Sequence, residues 1–386
     1  MKKSGLNLVG VKEFNRSLIL QNICTGHAMT RHKLARIAQL STMTVTNLTS
    51  ELLSMGVITE ADSPDNKKGV GRSPKILVLA PQSPVVLGVW LSKDFLYGTV
   101  SDLALQTLCE KKVPFQRQET EETILEKLGA LTAELAASTS RRILGMGLAA
   151  VGVIDMQAGA IRYVTDFFDI LSMPLRPYLQ ERFPFPVFVG NDMQASGLAE
   201  LYFGHGQLED DFLYVGVDNG IGSAVIANHQ LVNSSGELGH LSIDYNGPKC
   251  TCGSRGCLEL YASATSILWQ INEECCTHFT TFAEAMEFCR VSSRAYSVLY
   301  GCSKQLTYAL NSFINIIDVS TIILGHAGCH MPEEIMTSME RTLNRISVLK
   351  DSRKFRFFRS TFGDRVPLYG AVCLVLERLF SGMLSL

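Results

Sequence analysis

No apolar run in these 386 residues approaches the roughly 20 residues needed to span a bilayer, so membrane insertion is not expected. The start, Met-Lys-Lys-Ser-Gly-Leu-Asn, is not followed by an apolar core, so no secretory signal peptide is expected either. Internal repeats and low-complexity tracts are absent. With 46% hydrophobic and 19% charged residues, the composition is that of a soluble globular protein, long enough for two or three domains. The eleven cysteines are mostly scattered and read as reduced thiols, which points to a cytoplasmic location.

Net charge is also nearly lacking, at −2, yet it is unevenly distributed. Residues 1–80 carry eleven Lys/Arg against five Asp/Glu, a net of +6, so the remainder is at −8. A basic head on an acidic body suggests that the head meets a polyanion. Helical periodicity places helices near 11–24 and 30–38, then a third that opens at a Ser41 N-cap. Val45, Leu48 and Leu52 of this third helix should face a core. Its other positions are rich in short hydroxyls and amides, among them Thr42, Thr46 and Asn47, which suit phosphates and base edges. A strand entry at 56–59, a polar turn over 62–71 with Lys67 and Lys68, and a strand over 75–79 make a two-stranded wing with Arg72 beside its tip. A generic helical bundle or a protein-docking module would share the helices. The charge, the wing and the hydroxyl-rich third helix favour a winged helix-turn-helix on double-stranded DNA.

From residue 81 strands and helices alternate. Strands are expected at 85–91, 95–102, 144–153, 186–189, 212–217, 224–227, 319–324 and 355–359. Helices are expected at 120–137, 194–203, 258–271, 282–289, 296–317, 332–346 and 370–380. This is an α/β pattern of two units, whose ligands bind at the carboxyl ends of strands.

The densest chemistry lies between Glu237 and Glu259. Glu237-Leu-Gly-His240 is followed by Cys250-Thr-Cys252-Gly-Ser-Arg-Gly-Cys257 and then Leu258-Glu259. Zn²⁺ takes four N or S ligands in a tetrahedron, and closed Cys₃His sets are structural. Gly253 and Gly256 permit the tight turns that would bring three thiolates to one ion. Three reduced structural cysteines, or a disulfide, are the plainer alternatives. In an intracellular chain, clustered cysteines read first as a metal site, with one structural zinc per chain.

Glu-Leu-Gly-His and Cys-Thr-Cys-Gly-Ser-Arg-Gly-Cys-Leu-Glu resemble the signature of the ROK family of repressors, open reading frames and sugar kinases. The head, with its Gly-Arg-x-Pro wing, resembles that of the repressor branch. The resemblance implies a two-lobed actin-like sugar-kinase fold over 81–386, with a smaller lobe of about 81–191 plus 370–386 and a larger lobe of about 192–369. It implies that His240, Cys250, Cys252 and Cys257 hold zinc. Glu237, His240 and Glu259 would bind sugar hydroxyls, with His240 using both ring nitrogens. Asn191-Asp192 would hold a sugar, Asp192 standing where the kinases have their base, although a carboxylate there could equally be a helix N-cap. The family's Asn-Asp-x-Asn is here Asn191-Asp-Met-Gln194, so that edge of the pocket is altered.

The nucleotide side departs further from the kinases. Where they have Asp-x-Gly-Gly-Thr, this chain has Trp90-Leu-Ser92-Lys93-Asp94, and Asp218 and Asn219 replace Gly and Thr in a second phosphate loop. Side chains there block the backbone approach that a phosphate needs. The expectation is a sugar-responsive DNA-binding repressor of carbohydrate genes, not an enzyme. It would be a homodimer or tetramer, with operator DNA and a monosaccharide or sugar derivative as its ligands. The alternatives are a sugar kinase with a DNA-binding head, and a repressor controlled by a protein partner.

Overall fold

The computed structural model describes residues 8–26, 28–62, 75–165 and 167–386. The head folds as α1 (Leu8–Gly26), α2 (Arg31–Ile37) and α3 (Thr42–Ser54), followed by the antiparallel pair β1 (Ile58–Asp62) and β2 (Lys75–Leu79). Thr30 caps α2 by accepting from Lys33 N–H, and Ser41 caps α3 by accepting from Thr44 N–H, so each hydroxyl satisfies an amide with no partner inside its helix. Leu34, Val45, Leu48 and Leu52 are buried, as are Ile19, Leu20 and Ile23 of α1. This is a winged helix-turn-helix. The expected wing tip, with Lys67, Lys68 and Arg72, lies outside the described residues.

The chain divides into two compact units. The first comprises 1–161, 172–190 and 371–386, and the second 162–171 and 191–370. Beyond the head, the first unit holds a five-stranded sheet of order β5-β4-β3-β6-β9. Its members are β3 (Val85–Leu91), β4 (Phe95–Asp102), β5 (Thr107–Pro114), β6 (Ile143–Ala150) and β9 (Val187–Asn191). β3 pairs antiparallel with β4 and parallel with β6. Helix α4 (Glu121–Ala137), capped by Thr120, lays buried Ile124, Leu128, Leu131 and Leu135 on the sheet. The short β7 (Val153–Asp155), β8 (Ala160–Tyr163) and α5 (Leu175–Gln180) complete the middle of the chain.

The second unit opens with α6 (Asp192–Phe203) and a sheet of order β12-β11-β10-β13-β14. Its strands are β10 (Phe212–Val217), β11 (Ile221–Ala227), β12 (Gln230–Leu231), β13 (Thr321–Gly325) and β14 (Arg356–Arg359). β10 pairs antiparallel with β11 and parallel with β13. The two sheets therefore follow one plan, an antiparallel three-strand meander extended on one side, although no repeat is visible in the sequence. Helices α7 (Glu259–Ala262), α8 (Ala264–Cys275), α9 (Phe282–Cys289), α10 (Ser293–Ile314) and α11 (Glu333–Ile346) belong to the same unit. They share one apolar core with the sheet, centred on Leu213, Val215, Ile267, Leu306 and Ile322. The last helix is α12 (Val366–Phe380). Its later residues pack in the first unit, where Gly190 leaves room for Leu374, 2.8 Å from where a Cβ would stand.

Several boundaries differ from expectation. The strand expected over 144–153 ends at Ala150, and Val153 starts a separate strand paired with β8. The helix expected over 258–271 breaks at Ser263, whose extended backbone (ψ 158°) and hydroxyl cap α8 at Ser266 N–H. Helix α6 starts two residues early because Asn191, not Asp192, is its N-cap.

Candidate functional site

The Glu237–Glu259 stretch folds into a compact loop of the second unit. Gly239 lies so close to β11 that a Cβ would come within 2.5 Å of Ile221 O, which explains a glycine between Leu238 and His240. Gly253 and Gly256 both adopt left-handed backbone, φ 92° and 61°, as the tight turns require. Ser242 Oγ donates to Arg255 O at 2.7 Å and ties the two ends of the loop together.

His240, Cys250, Cys252 and Cys257 converge, with one ligand atom from each lying within 4.8 Å of the others. Cys252 and Cys257 Sγ are 3.7 Å apart, and Cys250 Sγ is 3.7 Å from His240 Nδ1. A tetrahedral ion with sulfur ligands at about 2.3 Å would hold them about 3.8 Å apart. The four residues thus fit a metal ion of zinc's size and preference. Burial pushes the Cys257 thiol up to about 12 and raises Cys250 as well, whereas a hydrogen bond from the Ser254 backbone lowers Cys252. Binding an ion here must displace protons from the thiols.

His240 faces two ways. Its Nδ1 points to the thiols and lies 3.3 Å from Glu259 Oε1, while its Nε2 is 3.8 Å from Glu237 Oε2. Glu259 Oε1 is also 3.3 Å from Cys250 Sγ, and a Cβ on Gly220 would come within 3.1 Å of Glu259 Oε2. Burial raises the Glu237 carboxyl above its ordinary range; His240 opposes this, and the charges of Asp192 and Glu259 add to it. Asp192, His240 and Glu259 therefore all lie within electrostatic reach of Glu237. Asn191 stands beside them, its Oδ1 accepting from Met193 and Gln194 N–H as the cap of α6. Asp192 is buried at 6% exposure and accepts from Met193 N–H at 3.0 Å. Gln194, where the family has Asn, donates to Ser234 O at 2.8 Å.

Sequence reasoning missed two residues here. His326, 2% exposed just after β13, brings Nε2 to 3.9 Å from Asp192 Oδ2, and its Nδ1 lies 2.7 Å from Tyr214 Oη. The only signal was a bulky His at the start of Gly325-His-Ala-Gly328, where a strand turns into a loop.

In the first unit, the Ser92–Asp94 turn uses its own amides. Ser92 N–H donates to Phe95 O at 3.0 Å, and Asp94 N–H to Ser92 Oγ at 3.0 Å. Trp90 packs edge-on against Phe95, with ring centroids 4.9 Å apart. In the second unit Asp218 N–H donates to Gly220 O at 2.9 Å, which closes the β10–β11 hairpin. The Ser92, Asp94 and Asp218 amides are thus spent inside their own turns.

In the head, Thr42 and Asn47 are exposed on α3, and Thr46 is half-buried, its hydroxyl donating to Thr42 O at 2.8 Å. Arg72, the fourth residue expected at DNA, is outside the described residues.

The sequence profile of the ROK family matches residues 86–378. The chain belongs to the ROK family. A xylose repressor of Caldicellulosiruptor bescii is 25% identical over 395 residues, covering 96% of this chain and 97% of its own. The DNA-binding transcriptional dual regulator NagC of Escherichia coli K12 is 25% identical over 393 residues, covering 97% of this chain and 95% of its own. A crystal structure of a ROK family transcriptional regulator, a homologue of the Escherichia coli MLC protein, superposes with a TM-score of 0.81 at 22% identity. It covers 97% of this chain and 98% of its own, and the likeness shows the fold. All three extend over the head that the family profile leaves out. No described helix is long and apolar enough to cross a membrane.

Proposed function

We propose that this chain is a sugar-responsive, DNA-binding transcriptional regulator, a repressor of carbohydrate uptake or catabolism genes acting in the cytoplasm. The observation that carries the proposal is the two-faced His240, with one ring nitrogen toward three thiols and the other toward Glu237. A metal-bound imidazole must donate its second N–H elsewhere, and that donation fixes the ring. His240, Cys250, Cys252 and Cys257 would hold one structural zinc, which would lock the loop that carries Glu237 and Glu259. Asn191, Asp192, Glu237, His240 and Glu259 would then meet a monosaccharide or a close derivative. Acceptors grouped around one imidazole donor suit a polyhydroxyl ligand.

The head of about 1–80 would bind operator DNA through Thr42, Thr46, Asn47 and Arg72. The sensing part is 81–386, with lobes of about 81–191 plus 370–386 and 192–369. Sugar occupancy would bias the arrangement of a homodimer or tetramer and so the spacing of its heads on a two-fold operator. A thermal-shift screen of the full chain with sugars and sugar phosphates, xylose and N-acetylglucosamine included, tests this proposal. Stabilisation by one sugar that is lost in Glu259→Ala supports it. Stabilisation by none favours control by a protein partner.

A kinase with a DNA-binding head is the second reading, because Asp192 keeps the place of a base. The spent amides of the Ser92–Asp94 turn and the carboxylate of Asp218 weigh against it, and ATP turnover decides.

A further inference from the structure

His326 adopts left-handed backbone, φ 54°, a conformation that a residue other than glycine holds only where its surroundings over-determine it. The surroundings here are specific. Tyr214 Oη lies 2.7 Å from Nδ1, and a Cβ on Gly216 of β10 would stand 2.7 Å from the same nitrogen. A Cβ on Gly325 of β13 would come within 2.6 Å of Tyr214 Cζ. Two glycines, paired across β10 and β13, thus leave the space that the Tyr214–His326 pair fills. Burial holds the Tyr214 hydroxyl well above its ordinary range, so it stays protonated. The far edge of the imidazole then meets Asp192, with side-chain exposures of 1% and 9%.

We propose that His326, fixed by Tyr214, is a positioning residue for Asp192 and thereby sets which sugar hydroxyl the regulator reads. The proposal rests on the sugar-binding role of Asp192 given above. One oxygen of the Asp192 carboxylate accepts from Met193 N–H, and the other has the His326 ring beside it. A carboxylate bonded through one oxygen and walled by the imidazole 3.9 Å from the other has few orientations open to it, so its remaining lone pairs face one way. A ligand hydroxyl that donates along that direction binds without first reorganising the group.

Calorimetry on the full-length protein tests this, using the sugar that stabilises it best and that sugar's set of monodeoxy derivatives. Asp192→Asn first identifies the hydroxyl that Asp192 reads, as the position where the deoxy derivative no longer binds worse than the parent. Tyr214→Phe removes one oxygen atom and keeps the ring. His326→Asn keeps a residue that tolerates left-handed backbone. Each should weaken the parent sugar by about three- to tenfold, the range of one lost hydrogen bond. Each should also reduce discrimination at that one hydroxyl by the same factor. In the Asp192→Asn background Tyr214→Phe should cost nothing further, because the two changes act on one interaction. Unchanged affinity in both variants would overturn the proposal. So would an equal loss for the parent and every deoxy derivative, which marks a purely structural role. A wild-type protein that binds no sugar would instead overturn the sugar-binding role of Asp192, and this proposal with it.

Discussion

Two strand ends in this molecule show opposite uses of polar groups. At the end of β9, Asn191 caps α6 and Asp192 keeps a buried carboxylate beside His326 and within electrostatic reach of Glu237. At the end of β3, Ser92 and Asp94 spend their amides inside a tight turn, over which Trp90 packs on Phe95. The first arrangement brings acceptor groups together around one imidazole. The second turns two of its amides inward.

Removing the proposed zinc should have the largest effect, because Glu237, His240 and Glu259 lie at the ends of the cysteine loop. About one zinc per chain is expected by metal analysis of protein purified without chelator, and Cys250→Ser should lose it. Occupancy should fall as pH falls, since the thiols, Cys257 above all, must give up protons to bind. Stripping the ion should abolish sugar binding altogether. Sugar binding that survives in metal-free protein would separate the cluster from the loop and break the first half of the comparison.

Deleting residues 1–80 should abolish DNA binding while leaving sugar binding intact. In the full chain, DNA affinity should fall steeply with salt through counterion release, and Arg72→Ala and Asn47→Ala should weaken it. A truncated chain that still shifts DNA would move that activity out of the head.

Glu259→Ala and Asp192→Ala should each cost about 1–3 kcal/mol in sugar affinity by calorimetry, the usual cost of leaving a desolvated polar partner unpaired. A neutral result for either would remove it from the acceptor set.

The smallest effect belongs to the other strand end. Ser92→Gly should leave sugar affinity unchanged, because that turn lies outside the proposed acceptor set. The wild-type chain should show no sugar-dependent ADP release near 1 s⁻¹, the low end of ordinary kinase rates. Turnover at that rate, lost in Asp192→Ala, would make the protein a bifunctional kinase.

The convergence of His240 with the three cysteines was legible because they fall within a short stretch and the glycines announce the turns. The head was legible from helical spacing, caps and charge. What escaped notice depends on residues far apart in the chain or on weak local signals. β5 runs Thr-Leu-Cys-Glu-Lys-Lys-Val-Pro, an edge strand with mostly exposed charge and little apolar alternation. The break at Ser263 lies in Tyr-Ala-Ser-Ala-Thr-Ser, residues that a continuous helix tolerates, so only the cap geometry reveals it. His326 lies more than a hundred residues from Tyr214 and Asp192, and no spacing rule joins them. The matching plan of the two sheets is carried by strand order and pairing, with no repeat in the residues themselves.

The most direct test is the coupling between sugar and DNA in the intact chain. DNA selected from a random pool by the full-length protein would be titrated by fluorescence anisotropy, with and without a saturating amount of the sugar that stabilises the protein best. The expected result is a shift in DNA affinity of about fivefold or more in either direction, the lower end of ordinary allosteric coupling. Identical affinities with and without bound sugar would contradict a sugar-responsive regulator.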